Sequence, residues 1–227
     1  MNPNNHILKQ IPSVIIFLFI SFRCLSQDFH LSQYDAHPLY LNPALTGLRI
    51  NEEWDYRANA NYRSQWSSFL GKPYTTVAAG VDAPISKKIS LGEFVINNES
   101  AGGSLNTFNL MSSIAYNINN KNKGGDMQNL SVGLQIGFLQ KILNPANLVF
   151  DSQYSSSDPD VFDEKLPSGE NFTQVSLLNF DANFGVFYRF SAMSGRFSPF
   201  IGFSVYHLNR ADDSFTGVTS GTPMRFT

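Results

Sequence analysis

Cysteine is almost missing from this 227-residue chain: Cys24 is its one example, and it falls in a stretch that reads as a targeting segment. With residues 1–26 removed, a mature chain starting at Gln27 has none, which excludes disulfides, thiol catalysis and thiolate metal sites. Charge is scarce too. Asp, Glu, Lys and Arg make up 15% of the residues, the formal net charge is −2, and no basic block is present, so nucleic acid is not an expected partner. After residue 26 no run approaches the roughly 18 apolar residues that a membrane helix needs. Gly102-Gly103 and Gly124-Gly125 read as hairpin turns and not as phosphate-cradling loops. No spacing argues for a Ser/His/Asp triad or a working carboxylate pair. The expectation is a chain with no catalytic role and no cofactor.

The leader has three parts. His6 and Lys9 give a weakly basic start, Val14 to Phe22 is an apolar run too short to cross a bilayer, and Ser26 suits the position before a cleavage site. Lipoprotein processing at Cys24 would need a small residue where the bulky, charged Arg23 stands.

Aromatic residues are what the chain has in abundance, with 20 Phe, 9 Tyr and 2 Trp. They are most ordered between Trp54 and Ser67. One alternate set is Trp54, Tyr56, Ala58, Ala60, Tyr62, Ser64 and Trp66; the other is Asp55, Arg57, Asn59, Asn61, Arg63, Gln65 and Ser67. A period of two is a strand. A soluble sheet would favour Val, Ile and Leu on its covered face, whereas here aromatic rings stand at both ends with small residues between. That is the order of a strand crossing a bilayer, with Trp54, Tyr56, Tyr62 and Trp66 as its aromatic girdle. Asp55, Arg57, Asn59, Asn61, Arg63 and Gln65 would face a lumen. At about 3.3 Å per residue and about 40° of tilt, roughly a dozen residues cover about 30 Å. A soluble β-sandwich or lectin-like strand is the competing reading.

Six further strands follow at Tyr74–Ile85, Ile89–Asn97, Phe108–Ile118, Leu130–Lys141, Phe180–Phe190 and Phe197–His207. The second puts Val77, Val81 and Ile85 on one face, and the third alternates poorly, with Glu93 needing water or a partner. The fifth alternates most cleanly, Leu130, Val132, Leu134, Ile136 and Phe138 outward against Ser131, Gly133, Gln135 and Gly137 inward. With a periplasmic N-terminus, the long connection Pro145–Leu177 falls outside, where barrels keep long loops. Asp212 to Thr227 reads as a polar loop. Seven strands leave bare sheet edges, which hydrocarbon does not tolerate. The expected fold is therefore all-β, an antiparallel transmembrane β-barrel of about seven strands belonging to a larger, even-stranded barrel that is C-terminally incomplete here. Its parts would be a signal peptide (1–26), a structured N-terminal segment (27–50) and the first part of the barrel (51–227).

In the N-terminal segment Pro38, Pro43 and Gly47 break regular structure, yet its apolar content argues that it packs into or under the barrel. Asp28, His30, Asp35 and His37 fit no standard metal spacing and read as hydrogen-bonding groups that fix the segment. Arg57 and Arg63 with Asp55 either set a pore field or form ion pairs inside the barrel, with Asp181 a candidate mate. The fifth connection is acidic (Asp151, Asp158, Asp160, Asp163, Glu164, Glu170), a solvated loop or, alternatively, a divalent-cation site.

The words HLSQY (His30–Tyr34), PLYLNPALTG (Pro38–Gly47), YRSQW (Tyr62–Trp66) and GFSVYHLNR (Gly202–Arg210) resemble the PorP/SprF family of the type IX secretion and gliding machinery of Bacteroidetes. The resemblance covers most of the mature chain. It rests on Pro38, Leu39, Tyr40, Asn42, Pro43, Ala44, Gly47 and His207, with His207 a family-diagnostic position and not a catalytic one. It implies a non-enzymatic barrel in the bacterial outer membrane that supports export or surface attachment of large proteins and adhesins. Implied partners are outer-membrane lipid, other secretion and gliding components, and exported cargo, with PLYLNPALTG and the fifth connection as candidate contact surfaces. A passive porin or ligand-uptake channel is the alternative.

Overall fold

The computed structural model describes residues 31–48, 55–68, 73–121, 127–154, 162–163, 165–192 and 198–227. Eight strands form one sheet in chain order, each antiparallel to the next: β1 (Arg57–Gln65), β2 (Tyr74–Pro84), β3 (Ile89–Ser100), β4 (Leu105–Lys121), β5 (Met127–Leu143), β6 (Ser176–Ser191), β7 (Phe200–Tyr206) and β8 (Arg225–Phe226). Among the described residues, no helix is long and apolar enough to cross a membrane. The sheet is not closed: its order runs from β1 at one edge to β8 at the other. This is the all-β, antiparallel architecture the strand periods predict, in the form of a partial barrel.

β1 and β7 are shorter than the alternation suggests, whereas β3 to β6 run longer. The ladder between β4 and β5 runs from Leu105↔Leu143 to Lys121↔Met127, longer than the apolar alternation, because Asn, Gln and Lys at the strand ends keep pairing after the apolar pattern stops. β3 likewise continues through Asn98 and Glu99 to Ser100. β8, in a stretch read as polar loop, pairs Arg225 and Phe226 with Tyr206 and Val205.

Alternation separates two faces. The outer face carries Val77, Val81, Leu91, Leu110, Ile114, Leu134, Ile136, Phe138 and Phe180, all exposed. Their opposite numbers Thr76, Asp82, Ser90, Ser113, Ser131, Gln135, Asp181 and Asn183 are buried. A sheet whose polar face is covered and whose apolar face is bare inverts the arrangement of a soluble protein.

The cover is the N-terminal segment. Its one α-helical turn, α1 (Pro38–Leu41), starts at a proline, whose fixed φ suits a first turn, and a 3-10 turn follows at Pro43–Leu45. Leu39 packs with Leu31, Ala78, Phe94, Ile96 and Met111 on the inner face of β2–β4. Two bonds show that the sheet curls around this segment. Arg57 of β1 reaches the Leu45 carbonyl at 3.0 Å, and Arg225 of β8 reaches the Tyr40 hydroxyl at 2.7 Å. Seven steps of about 4.8 Å would part these strands by about 34 Å in a flat sheet. Tyr40 and Leu45 lie at most about 17 Å apart along the chain. Strands between these edges bond the same short stretch through Ser113, Ser131 and Ser204, so the sheet wraps around it.

Close approach is possible because the inner wall has glycine where the backbone of the segment touches it. A Cβ on Gly133 would overlap the Pro43 carbonyl, and one on Gly185 would overlap the Asn42 side-chain oxygen. At Gly133 the obstacle is backbone, so nothing can swing aside. Gly133→Ala is therefore expected to destabilise docking by about 1–3 kcal/mol, the range for an overpacked interior. The check is chymotrypsin cleavage at Tyr40 in the folded, detergent-solubilised protein, which should accelerate in the variant while the sheet stays intact by circular dichroism.

Candidate functional site

An irregular segment buried in a sheet must find partners for backbone groups that no strand or helix satisfies. In the stretch Leu39–Gly47 the wall supplies them one by one. Gln135 Nε2 donates to the Leu39 carbonyl at 2.8 Å, the Tyr206 hydroxyl to Tyr40 at 2.8 Å and the Ser204 hydroxyl to Leu41 at 3.1 Å. The Ser131 hydroxyl donates to Ala44 at 2.6 Å, and Gly47 N–H donates to Asp82. Thr46, fully buried, bonds Pro43 O within the segment and Ser113 on β4.

Asn42 is the central member. Its Oδ1 accepts the Ala44 N–H at 2.8 Å, capping the turn, which fixes the amide so that Nδ2 points at the wall. There Nδ2 donates to the carbonyls of Val186 and Phe203, paired residues on β6 and β7, at 3.1 and 3.3 Å. The glycines at 185 and 202 border this contact. At the far side Arg225 lies over both the Tyr206 ring (3.9 Å) and the Tyr40 ring (4.5 Å), clamping α1 to β7.

Of the residues singled out in sequence, the motif set converges here. Pro38 starts α1, Leu39 and Ala44 are buried, Tyr40 and Asn42 bind the wall, and Gly47 takes a left-handed φ of 58° against Ser90. These contacts point inward, so PLYLNPALTG faces the sheet. His207 is also drawn in: its Nδ1 lies 3.0 Å from Asp181, and its N–H donates to Asn183, which bonds Gln135 and through it Leu39. Buried and tied at ring and backbone, it reads as an anchor of the strand end.

The first-strand residues sort by parity. Tyr56 and Tyr62 are each 69% exposed with outer-face parity; Trp66, 56% exposed, follows β1 with a left-handed φ of 59° and packs edge-on against the Tyr74 ring at 5.0 Å, whereas Trp54 lies outside the described residues. Asp55 is exposed just before β1. Arg57, Asn59, Asn61, Arg63 and Gln65 are half-buried on the inner face, with Asn61 donating to Gln33 at 3.0 Å. Asp181 is not the mate of Arg57. The guanidinium chelates Asp82 at 3.0 and 2.6 Å, because the register sets Arg57 opposite Asp82 on the adjacent strand.

Asp35 is exposed and His37 is 1% exposed, and no group of three or more ligating side chains comes together among the described residues. Asp28, His30, Asp158, Asp160 and Glu164 lie outside the described residues. Sequence reasoning missed Asp82, Tyr206 and Arg225. Asp82 carried a signal, a lone carboxylate in the apolar run Val81–Ala83; Arg225 carried none.

Asn42→Asp is expected to loosen the segment more than Asn42→Ala. Alanine removes the donations, at about 1–3 kcal/mol, while aspartate also sets an acceptor against two carbonyls. Maleimide labelling of a Thr46→Cys reporter in each background measures this, and the reverse order would refute the assigned role of Nδ2. Burial of His37 lowers its pKa from the ordinary value of 6.5, and a weaker interaction with Asn59 raises it in part. Docking therefore favours the neutral ring. Its contribution is complete above about pH 6.5 and declines as pH falls below that value, because the released ring binds the proton more readily. The midpoint of thermal unfolding should fall between pH 7.5 and pH 5, and His37→Gln should reduce that fall.

The model of the type IX secretion system membrane protein PorP/SprF family matches residues 24–226. No curated protein and no solved structure matches the chain. A match over nearly the whole length, with the motif residues gathered on the inner wall, leaves one conclusion: the chain belongs to the PorP/SprF family of type IX secretion system membrane proteins.

Proposed function

We propose that this protein is a plugged, non-enzymatic outer-membrane component of the type IX machinery. It would support export or surface attachment of large proteins and adhesins by contact with other components of the secretion and gliding apparatus, in a bacterium of the Bacteroidetes. Membership in a membrane-protein family supports the location. An outer face of exposed aliphatic and aromatic residues, bracketed on β1 by Tyr56 and by Tyr62 with Trp66, supports contact with lipid. A signal peptide at 1–26 would deliver the chain to the envelope.

One observation carries the choice between scaffold and channel. All eight strands touch the segment Leu39–Gly47: β1 and β2 through Arg57 and Asp82, β3 through Gly92 and Phe94, β4 to β7 through Ser113, Ser131, Gly185 and Ser204, and β8 through Arg225. A diffusion channel keeps its wall in water, with side chains that tune the passing solute. Here the wall side chains are spent on a protein segment. Partner contact then falls to the fifth connection and to the residues after β7, which join at one end of the sheet: Thr173 and Gln174 donate to the Phe215 carbonyl, and Lys141 pairs with Asp213.

Purified full-length protein is expected to give no steady conductance in planar bilayers and to co-purify with other secretion components from envelopes. Steady single-channel conductance of the native protein without partners would decide for the porin. Release from envelopes by carbonate would decide for a soluble sheet.

A further inference from the structure

The outer face holds one residue out of keeping with its neighbours. Cross-strand pairing sets it out in rows: Ala60–Ala79–Val95–Leu110–Phe138–Phe180, then Ala58–Val81–Glu93–Ser112–Ile136–Ala182, then Ala83–Leu91–Ile114–Leu134–Phe184. Glu93 is exposed and sits between two apolar rows. The nearest polar level, that of Asn97 and Gln140, is two rows away, about 10 Å along the bilayer normal for tilted strands. Its carboxylate has no hydrogen bond or ion pair with any described residue. An ionised group at such a depth is costly unless paired.

Small residues stand close by. Ser112 flanks Glu93 on β4, and on β2 Ala79 lies diagonal to it beside the directly paired Val81, with Ala58 and Ala60 beyond on β1, between the Tyr56 and Tyr62 rings. Small residues at a membrane face let another backbone approach closely. The outward positions of the described strands hold no Lys or Arg, so the described outer face of a second copy offers no countercharge.

We propose that the outer face of β1–β3 around Glu93 is an interface for a membrane-embedded segment of a different protein, which presents a Lys or Arg to Glu93. The inference rests on the membrane-spanning reading above. On the inner side of the same strand, Gly92 and Phe94 contact Leu39 and Tyr40, so the partner would sit on the wall that holds the plug.

The test places a photo-crosslinking amino acid at Ala79 in the full chain, in its native envelope, with a control at Leu134. The Ala79 site is expected to give a discrete protein adduct that the control lacks. Glu93→Leu suits a lipid-facing position and should insert at least as well as the parent, yet lower the adduct tenfold or more; Glu93→Lys should abolish it. Peptide mapping should find a Lys or Arg in the partner segment, and its change to Glu should restore the adduct with Glu93→Lys. An adduct unchanged by Glu93→Leu, an adduct to a second copy, or lipid adducts alone would each overturn the proposal. Carbonate release of the native protein would instead overturn the membrane reading on which it rests.

Discussion

The structure depends on finding a partner for every polar backbone group of a buried, irregular segment. Leu39, Tyr40, Leu41, Ala44 and Leu45 each turn a carbonyl toward the sheet, and each meets a donor from a different wall residue. Most of the donors are neutral groups: a Gln amide, a Tyr hydroxyl and two Ser hydroxyls. A neutral donor suits this task because a buried carbonyl left unpaired is costly, whereas a buried charge must in addition be desolvated and paired. Of the two cations, Arg225 reaches the Tyr40 carbonyl at 3.4 Å from over the Tyr40 and Tyr206 rings, and Arg57 is also chelated by Asp82, which takes the Gly47 N–H with the same carboxylate. The polar inner face is thus a complement to one segment and not a generic wet surface.

Steric fit adds to this what hydrogen bonds alone do not provide. Pro43 brings the chain against Gly133, and Asn42 brings it against Gly185 and Gly202. Side chains at these wall positions would hold the segment away and lengthen every bond just described. The motif residues and the wall glycines therefore belong to one constraint, although they lie about ninety and more positions apart in the chain.

Much of the fold was legible because alternation is a local property. Most strands announce their two faces, and the inward set on β5, with Gly133 and Gln135, was readable before any pairing was known. Register was not. The mate of Arg57 is set by how β1 slides along β2, and no short-range pattern fixes that, so Asp82 went unrecognised. β3 alternates poorly for a reason the sequence could not disclose: Phe94 and Ile96 face inward to receive Leu39, while Leu91 and Val95 face outward. Two apolar faces cancel the period. The ends of β3, β4 and β5 were misjudged because an apolar pattern reports the covered or lipid-facing stretch, whereas backbone pairing continues into polar residues beyond it.

How the segment is held bears on what it can do. With no cysteine after Cys24, no covalent tie fixes it, and its grip is spread over many neutral bonds, each of modest net value. Spreading has a mechanical consequence. One lost bond leaves the rest in register, so the segment tolerates local change, yet displacement of Asn42 and Pro43 from the glycine window removes several bonds together. Such an arrangement is cooperative, either docked or released, with few stable intermediate positions. Another chain could reach the same polar wall only by replacing these contacts.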